Sequence, residues 1–173
     1  MQNEAPQYPV ERFLRESALV VDVRTPAEYS QGHIPGARNL PLFSDRERAE
    51  VGTTYKQQGR QEAVQLGLAL VGPKLAALGT TLTAWSAEAA GAPLRIHCWR
   101  GGMRSGSVAW LADTLDLPCT LLEGGYKAYR RWVLAQLEQS WPLRLLGGRT
   151  GTGKTDLLLA LRDRGVAVLD LEG

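Results

Sequence analysis

The chain has 173 residues, 44% apolar and 22% charged, a composition typical of a globular protein that buries a core. Its net charge of +2 is too small for bulk charge to indicate a partner, and two cysteines exclude a disulfide framework. No run approaches the roughly 18 apolar residues that span a bilayer, and residues 1–9 lack the apolar segment of a signal peptide. We therefore expect a reducing, cytoplasmic setting.

The first part of the chain alternates strand and helix patterns. The apolar run at residues 18–23 predicts a strand buried in a parallel sheet, and residues 24–39 have the prolines and glycines of loops and turns. Further strands and helices are predicted at residues 44–88 (helical, with breaks at Gly59 and Gly72–Pro73), 94–97 (strand), 104–115 (helix), 120–122 (strand) and 127–139 (helix). This order predicts an α/β domain with a parallel sheet flanked by helices over residues 1–140.

A second domain is predicted to begin at residue 141 and to continue to residue 173. Strand, helix and strand are predicted at residues 143–146, 154–164 and 166–169. Between the first two lies a match to the P-loop pattern G-x4-G-K-[ST], formed by Gly148, Gly151, Gly153, Lys154 and Thr155. Its N–H groups would cradle a phosphate that Lys154 neutralises, and Thr155 would be placed to ligate magnesium. One strand-helix-strand unit cannot bury both faces of its own sheet, so we expect this segment to be the cut-off start of a domain. Because its helix is then loosely held, we expect it to bind nucleotides weakly or not at all.

The loop after the strand at residues 94–97 carries the main candidate nucleophile, Cys98. A loop between a strand and a helix can turn successive N–H groups inward, and the helix N-terminus adds a positive partial charge. These groups would stabilise a thiolate and hold an oxyanion or a persulfide. The residues assigned to this cradle are Arg100, Gly101, Gly102, Met103 and Arg104, of which Arg104 would grip the oxyanion and Arg100 would assist.

Residues 22–37, D-V-R-T-P-A-E-Y-S-Q-G-H-I-P-G-A, closely resemble the first motif of the rhodanese family. With the Cys98 loop and the sequence Glu-Gly-Gly-Tyr at 123–126, the resemblance covers about residues 8–138. It implies a rhodanese-like fold and a cysteine that passes sulfur or selenium. The spacing Cys-x5-Arg also resembles a phosphatase loop, which is one residue longer than many sulfurtransferase loops.

Several other residues allow two interpretations. Asp22 and Arg24 pair structurally or take part in catalysis, and His33 fixes a loop or acts as a base. Cys119, at the start of a predicted strand, is interpreted as a small core residue. The aromatic and cationic residues of 126–132 either stack bases and pair phosphates or form an amphipathic helix on the sheet.

A rhodanese domain followed directly by a P-loop resembles the tRNA 2-selenouridine synthase family, as do residues 41–44, 50–56 and 124–130. The resemblance implies that selenium replaces sulfur in wobble 2-thiouridine of tRNA through a geranylated intermediate. Selenophosphate and geranyl diphosphate would be the substrates, with no resident metal or organic cofactor. The implied partners are tRNA and a selenophosphate-supplying enzyme, with no membrane. Members of that family continue beyond the position that corresponds to Gly173, which puts the complete reaction by this chain in doubt.

Two further functions remain open on the sequence. The loop length favours a Cys-x5-Arg phosphatase, although the attached P-loop does not. A generic sulfurtransferase or a non-catalytic fragment also fits the motifs.

Overall fold

The computed structural model describes residues 5–170 and divides the chain into two compact units, Met1–Glu138 and Gln139–Gly173. The first unit is built on a five-stranded sheet in the order β1-β5-β4-β2-β3, and every neighbouring pair of strands is parallel. Its strands are β1 Gln7–Tyr8, β2 Val20–Asp22, β3 Arg38–Asn39, β4 Leu94–His97 and β5 Cys119–Leu122. The predicted parallel α/β fold is confirmed.

Helices cover both faces of this sheet. They are α1 Val10–Arg15, α2 Pro26–Ser30, α3 Asp45–Gln57, α4 Arg60–Val71, α5 Leu75–Glu88, α6 Met103–Thr114 and α7 Gly125–Leu137, with a 3-10 turn at Gly72–Lys74 between α4 and α5. The predicted breaks at Gly59 and Gly72–Pro73 are confirmed, since Gly59 precedes α4 at a φ of 108° and Gly72 opens the 3-10 turn.

Side-chain alternation along the strands makes two cores. Val21, Ile96 and Leu121 point to one face, where they pack with Leu82 of α5 and Val108 of α6. The other face holds a smaller cluster, against which the aromatic residues of α7 pack; its buried members are Val10, Phe13, Val20, Ile34, Ala37 and Leu122. The parallel pairing of β2 with β4 and of β4 with β5 brings the carboxyl ends of these strands side by side, which is where parallel sheets carry their sites.

The prediction of loop and turn for residues 24–39 is wrong in two places. Residues Pro26–Ser30 form α2, because Thr25 and Glu28 make a reciprocal capping box and Pro26 stands at the first helical position. Arg38–Asn39 pair with β2 as an edge strand. The sequence analysis also missed β1 and α1, because two residues of strand and six of helix are too short to show a period.

The strands predicted at residues 143–146 and 166–169 are not formed, so the expected strand-helix-strand is wrong within residues 139–170. Both segments are irregular, and only α8, Lys154–Asp163, is regular in that range. A strand exists through ladder hydrogen bonds to a neighbour, and neither segment is in a sheet. The helix confirms the pattern predicted at residues 154–164.

One stretch, Arg60–Glu88, is long and apolar enough by length and composition to cross a membrane, so the expectation that no run reaches that range needs correction. In the structure, however, the 3-10 turn interrupts this stretch, and Val71, Leu78 and Leu82 of its inner face lie in the core.

A buried ion pair joins β2 to the loop that follows it. The backbone N–H, Nε and Nη2 of Arg24 all donate to the carboxylate of Asp22, and both side chains are fully buried. Nη2 also donates to the carbonyl of Gly32 at 2.8 Å. The pairing interpretation of these two residues is therefore confirmed.

Asp22→Asn should lower the free energy of unfolding by about 3–5 kcal/mol, because it leaves the buried Arg24 cation without its counter-charge. The matched control is Glu88→Gln, which breaks the exposed pair between Arg38 and Glu88 and should cost less than about 1 kcal/mol. Urea denaturation of both variants measures the difference. Equal losses would show that burial of the Asp22–Arg24 pair does not matter for stability.

Candidate active site

Cys98 lies directly after β4, at the centre of the sheet edge. Its side chain is only 3% exposed, and its Sγ lies 3.2 Å from the hydroxyl oxygen of Ser105 in the first turn of α6. The same hydroxyl lies 3.0 Å from the carbonyl oxygen of Gly102, and its single proton can be directed either to that oxygen or to a Cys98 thiolate. The loop of residues 98–102, here called the Cys98 loop, thus wraps the sulfur against the N-terminus of a 12-residue helix.

Two opposing effects act on the pKa of Cys98. Burial raises the pKa, but hydrogen bonds from the Ser105 hydroxyl and from the backbone N–H groups of Arg100, Ser105 and Gly102 lower it, and the net pKa lies below the ordinary value of a thiol. A lowered pKa increases the thiolate fraction at neutral pH. The surroundings of Cys98 are therefore those of an activated nucleophile, and its part in a reaction stays a prediction.

The second cysteine, Cys119, behaves in the opposite way. Burial and the nearby Asp113 carboxylate raise the pKa of Cys119 to about 11. Its thiol is half-buried on β5 and packs against the larger core cluster, in agreement with the prediction of a small core residue.

The Cys98 loop rests on a turn between β5 and α7. The N–H groups of Tyr126 and Lys127 donate to the carbonyls of Cys98 and Trp99 at 2.8 and 3.0 Å. Gly125 has a φ of 60°, and a Cβ there would lie 2.4 Å from the carbonyl oxygen of Cys98. Only glycine permits this backbone approach, which explains why the sequence 123–126 accompanies the cysteine motif.

Buried polar groups lie beneath this contact. The Arg24 guanidinium stacks over the Tyr126 ring at 3.8 Å, and Nε2 of His97 lies 3.7 Å from the Asp22 carboxylate. Desolvation lowers the pKa of His97 to about 4, because it outweighs the effect of the Asp22 carboxylate, which raises it. His97 is therefore neutral at physiological pH and leaves Asp22 and Arg24 as a charge-balanced pair.

Within residues 5–170, the side chain of Arg104 makes no hydrogen bond to the sulfur of Cys98. Its Nη1 and Nη2 instead donate to the two oxygens of Glu28 on α2, at 2.7 and 3.3 Å. The guanidinium that is predicted to bind an oxyanion therefore already pairs with the carboxylate of Glu28, a residue that the sequence did not indicate as part of the site. The capping-box spacing of Thr25 and Glu28 is the signal that could have placed Glu28 at a helix start near the sheet edge.

The other predicted cradle residues take different places. Gly101 has a φ of 67°, and its α-carbon faces the carbonyl of Leu122 so closely that a Cβ would lie 2.9 Å from it. Gly102 contributes its N–H to the sulfur, and Arg100 also contributes through its backbone while its side chain is exposed. Met103 is 57% exposed and lines a cavity of about 420 Å³ together with Arg60, Gln61, Val64 and Gln65 of α4.

Two alternatives left open by the sequence are decided by packing. Nδ1 of His33 lies 3.1 Å from the carbonyl oxygen of Tyr29, and the two rings stack at 3.9 Å, which confirms a loop-fixing role for His33. Tyr126, Tyr129 and Trp132 pack against the smaller core cluster. The amphipathic interpretation of α7 is thus confirmed, since these partly buried rings pack against that cluster.

The P-loop residues of the second unit form a turn ahead of α8. Gly151 and Gly153 have φ values of 82° and 71°, and Gly153 directly precedes the helix. The ammonium group of Lys154 donates to the carbonyls of Gly148 and Arg149 at 3.0 and 3.1 Å. Thr155 lies in the first turn of α8 and is exposed. The motif therefore has the helix that the pattern requires after it, but the strand predicted ahead of it is not formed.

Comparison with known proteins agrees with this geometry. The family of the Rhodanese-like domain matches residues 9–131, and the chain belongs to the rhodanese family. A crystal structure of the N-terminal domain of a Clostridium difficile 630 protein, described as ATP/GTP binding, superposes with a TM-score of 0.70 at 43% identity. The superposition covers 73% of this chain and 98% of that domain.

Within that family, the chain is similar to tRNA 2-selenouridine synthases. The synthase of Serratia proteamaculans strain 568 is 47% identical over 165 residues, which are 93% of this chain and 42% of that protein. The synthase of Pseudomonas putida strain F1 is 44% identical over 163 residues, which are 89% of this chain and 41% of that protein. The chain therefore spans about two fifths of the length of these curated relatives.

Ser105→Ala should raise the pKa of Cys98, because it removes a hydrogen bond to the thiolate. Such a bond to a charged group contributes about 1.5–3 kcal/mol, so alkylation of Cys98 by iodoacetamide at neutral pH should slow by about ten- to a hundredfold. The rate is followed across pH by mass spectrometry. Ser107→Ala is the control, since the exposed Ser107 on the same helix bonds to the carbonyl of Met103 and not to the sulfur. Equal rates in wild type and Ser105→Ala would remove Ser105 from the site.

Proposed function

We propose that this chain supplies the chalcogen-handling domain of a tRNA 2-selenouridine synthase, with Cys98 as the nucleophile. The single observation behind the proposal is the buried Cys98 sulfur, which lies 3.2 Å from the Ser105 hydroxyl and has a pKa that nearby hydrogen bonds, including those of backbone N–H groups, hold below its ordinary value. The similarity to proteins of that name over nine tenths of the chain supports the choice of substrate.

In the simplest transfer, the Cys98 thiolate attacks the outer sulfur of thiosulfate. A sulfur–sulfur bond forms to Cys98, the bond within thiosulfate breaks, and sulfite leaves with the electron pair. The N–H groups that lower the pKa of Cys98 would then stabilise the terminal sulfur anion of the persulfide. Each step uses groups of the Cys98 loop and of the first turn of α6.

The full reaction of the synthase would use selenophosphate as selenium donor and pass through a geranylated tRNA made from geranyl diphosphate. The phosphate-binding turn around Lys154 would hold the diphosphate or a nucleotide. The exposed Arg60, Gln61 and Gln65 beside Met103 offer a cation and amides next to the Cys98 loop for an RNA substrate. A selenophosphate-supplying enzyme would be a partner, and an enzyme of tRNA would work in the cytoplasm.

A phosphatase is the second candidate, and one observation favours it. Five residues separate Cys98 from Arg104, a spacing that suits a tetrahedral phosphate group. In the structure, Glu28 pairs with both Nη atoms of Arg104. The Nε edge that remains would serve a phosphate and a sulfur or selenium donor alike, so Arg104 does not distinguish the two candidates.

Cys98→Ser should abolish loading by thiosulfate or selenophosphate while the fold remains, because an alcohol neither ionises near neutral pH nor forms a persulfide. Intact-protein mass spectrometry detects the added sulfur or selenium. Cys119→Ser is the matched control and should load like wild type, since the raised pKa of Cys119 keeps its thiol protonated. Loading that survives in Cys98→Ser, or phosphoester hydrolysis with no loading in wild type, would reject the transferase.

Geranyl diphosphate and GTP should bind the second unit weakly or not at all. The apolar residues Leu157 and Leu159 of α8 are 48% and 41% exposed, and an isolated helix of this length is marginal in water. Calorimetric titration of wild type and Lys154→Ala measures the affinity. Micromolar binding that disappears in Lys154→Ala would show that the turn is competent as it stands.

A further inference from the structure

Two helices of this chain begin in the same way. In α2, Thr25 and Glu28 form a capping box, and in α3, Ser44 and Glu47 form another. In both cases the glutamate also makes an ion pair with a cation from elsewhere in the fold: Glu28 with Arg104 and Glu47 with Lys74, each at 2.7 Å. The two ion pairs differ in where the cation lies. Arg104 is in the first turn of α6, directly after the Cys98 loop, whereas Lys74 is in the 3-10 turn between α4 and α5.

The contact between Glu28 and Arg104 is bidentate and largely buried. Each Nη atom of Arg104 meets a different carboxylate oxygen, and the backbone N–H of Thr25 holds one of these oxygens at 3.1 Å. Burial raises the pKa of Glu28, but its hydrogen bonds and the charge of Arg104 lower the pKa by more than burial raises it. The net pKa lies below the ordinary value, so the carboxylate stays ionised. Glu28 is thereby fixed from its own helix and holds the plane of the guanidinium.

A guanidinium has five N–H donors, and the end-on pair with Glu28 uses one from each Nη. The edge formed by Nε and the neighbouring Nη2 hydrogen makes no contact within residues 5–170 and can form a second, side-on pair with an oxyanion. Arg104 is adjacent in sequence to Ser105, whose hydroxyl lies 3.2 Å from the Cys98 sulfur. An anion at this edge would therefore be bound by a side chain of the first turn of α6, the turn that also places Ser105 beside the Cys98 sulfur.

We propose that Glu28 is a positioning residue, which orients Arg104 so that its open Nε edge receives the oxyanion group of a sulfur or selenium donor at Cys98. The inference rests on the proposed function for the identity of the donor, and on the contacts of Arg104 for the site. Without Glu28, Arg104 would keep its charge but lose its orientation, and charge alone is a weaker ligand than an oriented fork.

Sulfate is the probe for this site because it is a plain oxyanion that Cys98 cannot consume. Sulfate should protect Cys98 from iodoacetamide, and Glu28→Gln should raise the sulfate concentration for half-protection by about tenfold, as expected for the loss of one charge-assisted pair. Glutamine keeps the capping box, because either residue serves at that position. Glu47→Gln keeps its own capping box and loses its own ion pair, so it is the matched control and should protect like wild type.

Two further measurements separate positioning from a structural effect. In an Arg104→Lys background, Glu28→Gln should change the sulfate concentration for half-protection by less than about twofold. The reason is that Glu28 acts only through the guanidinium of Arg104, which this background lacks. Thermal unfolding should move similarly in Glu28→Gln and Glu47→Gln. If Glu28→Gln has its full effect in the Arg104→Lys background, the double-mutant cycle is additive, and an additive cycle overturns the proposal.

Other outcomes also decide the matter. Tighter sulfate binding in Glu28→Gln would show that Glu28 blocks Arg104, and no protection in wild type would show that no anion binds there; either overturns the proposal. Thiosulfate loading is measured beside it on the same variants. Failure of wild type to load would reject the transferase function, while the sulfate result would still report on Glu28.

Discussion

The backbone of the Cys98 loop lies directly on the turn at Gly124–Gly125, with no side chain between them. Strands β4 and β5 are parallel neighbours, so their carboxyl ends deliver the two loops to the same point of the sheet edge. The N–H groups after Gly125 bind the carbonyls of the Cys98 loop, and this leaves the N–H groups of that loop free to turn toward the sulfur. A nucleophile activated by backbone donors therefore depends on a glycine contributed by a different loop.

The polar groups under the loop support it without adding a net charge. Asp22 and Arg24 neutralise each other, His97 is neutral, and the flat guanidinium of Arg24 supports the ring of Tyr126. Asp22 and His97 stand on the face of the sheet opposite to the one on which Ile96 packs. The arrangement gives the loop a rigid base while the electrostatics at Cys98 are determined by the loop and helix α6.

The fold and the position of Cys98 could be predicted from the sequence because both depend on local patterns. Strand β4 is predicted at residues 94–97, directly ahead of Cys98 and a glycine-rich segment, and the breaks around α4 follow from Gly59 and Pro73. Contacts between distant segments could not be obtained in this way. The pairing of Arg104 with Glu28 joins residues 76 positions apart, and nothing in either segment alone shows that a carboxylate occupies the fork. The strands expected after residue 141 failed for a similar reason, since an apolar run becomes a strand only when a neighbouring strand receives its hydrogen bonds.

The hydrogen bonds at Cys98 have a consequence for the response of the protein to ionic strength. Salt ions screen the field of an exposed lysine or arginine, and a thiolate stabilised by such a cation becomes less reactive as the buffer is concentrated. The lowered pKa of Cys98 comes instead from a hydroxyl and from backbone N–H groups, which are short-range contacts around a buried sulfur. Mobile ions do not enter such a site. The reactivity of the thiolate should therefore be nearly the same in dilute and in concentrated salt, while the capture of a charged donor at the rim weakens.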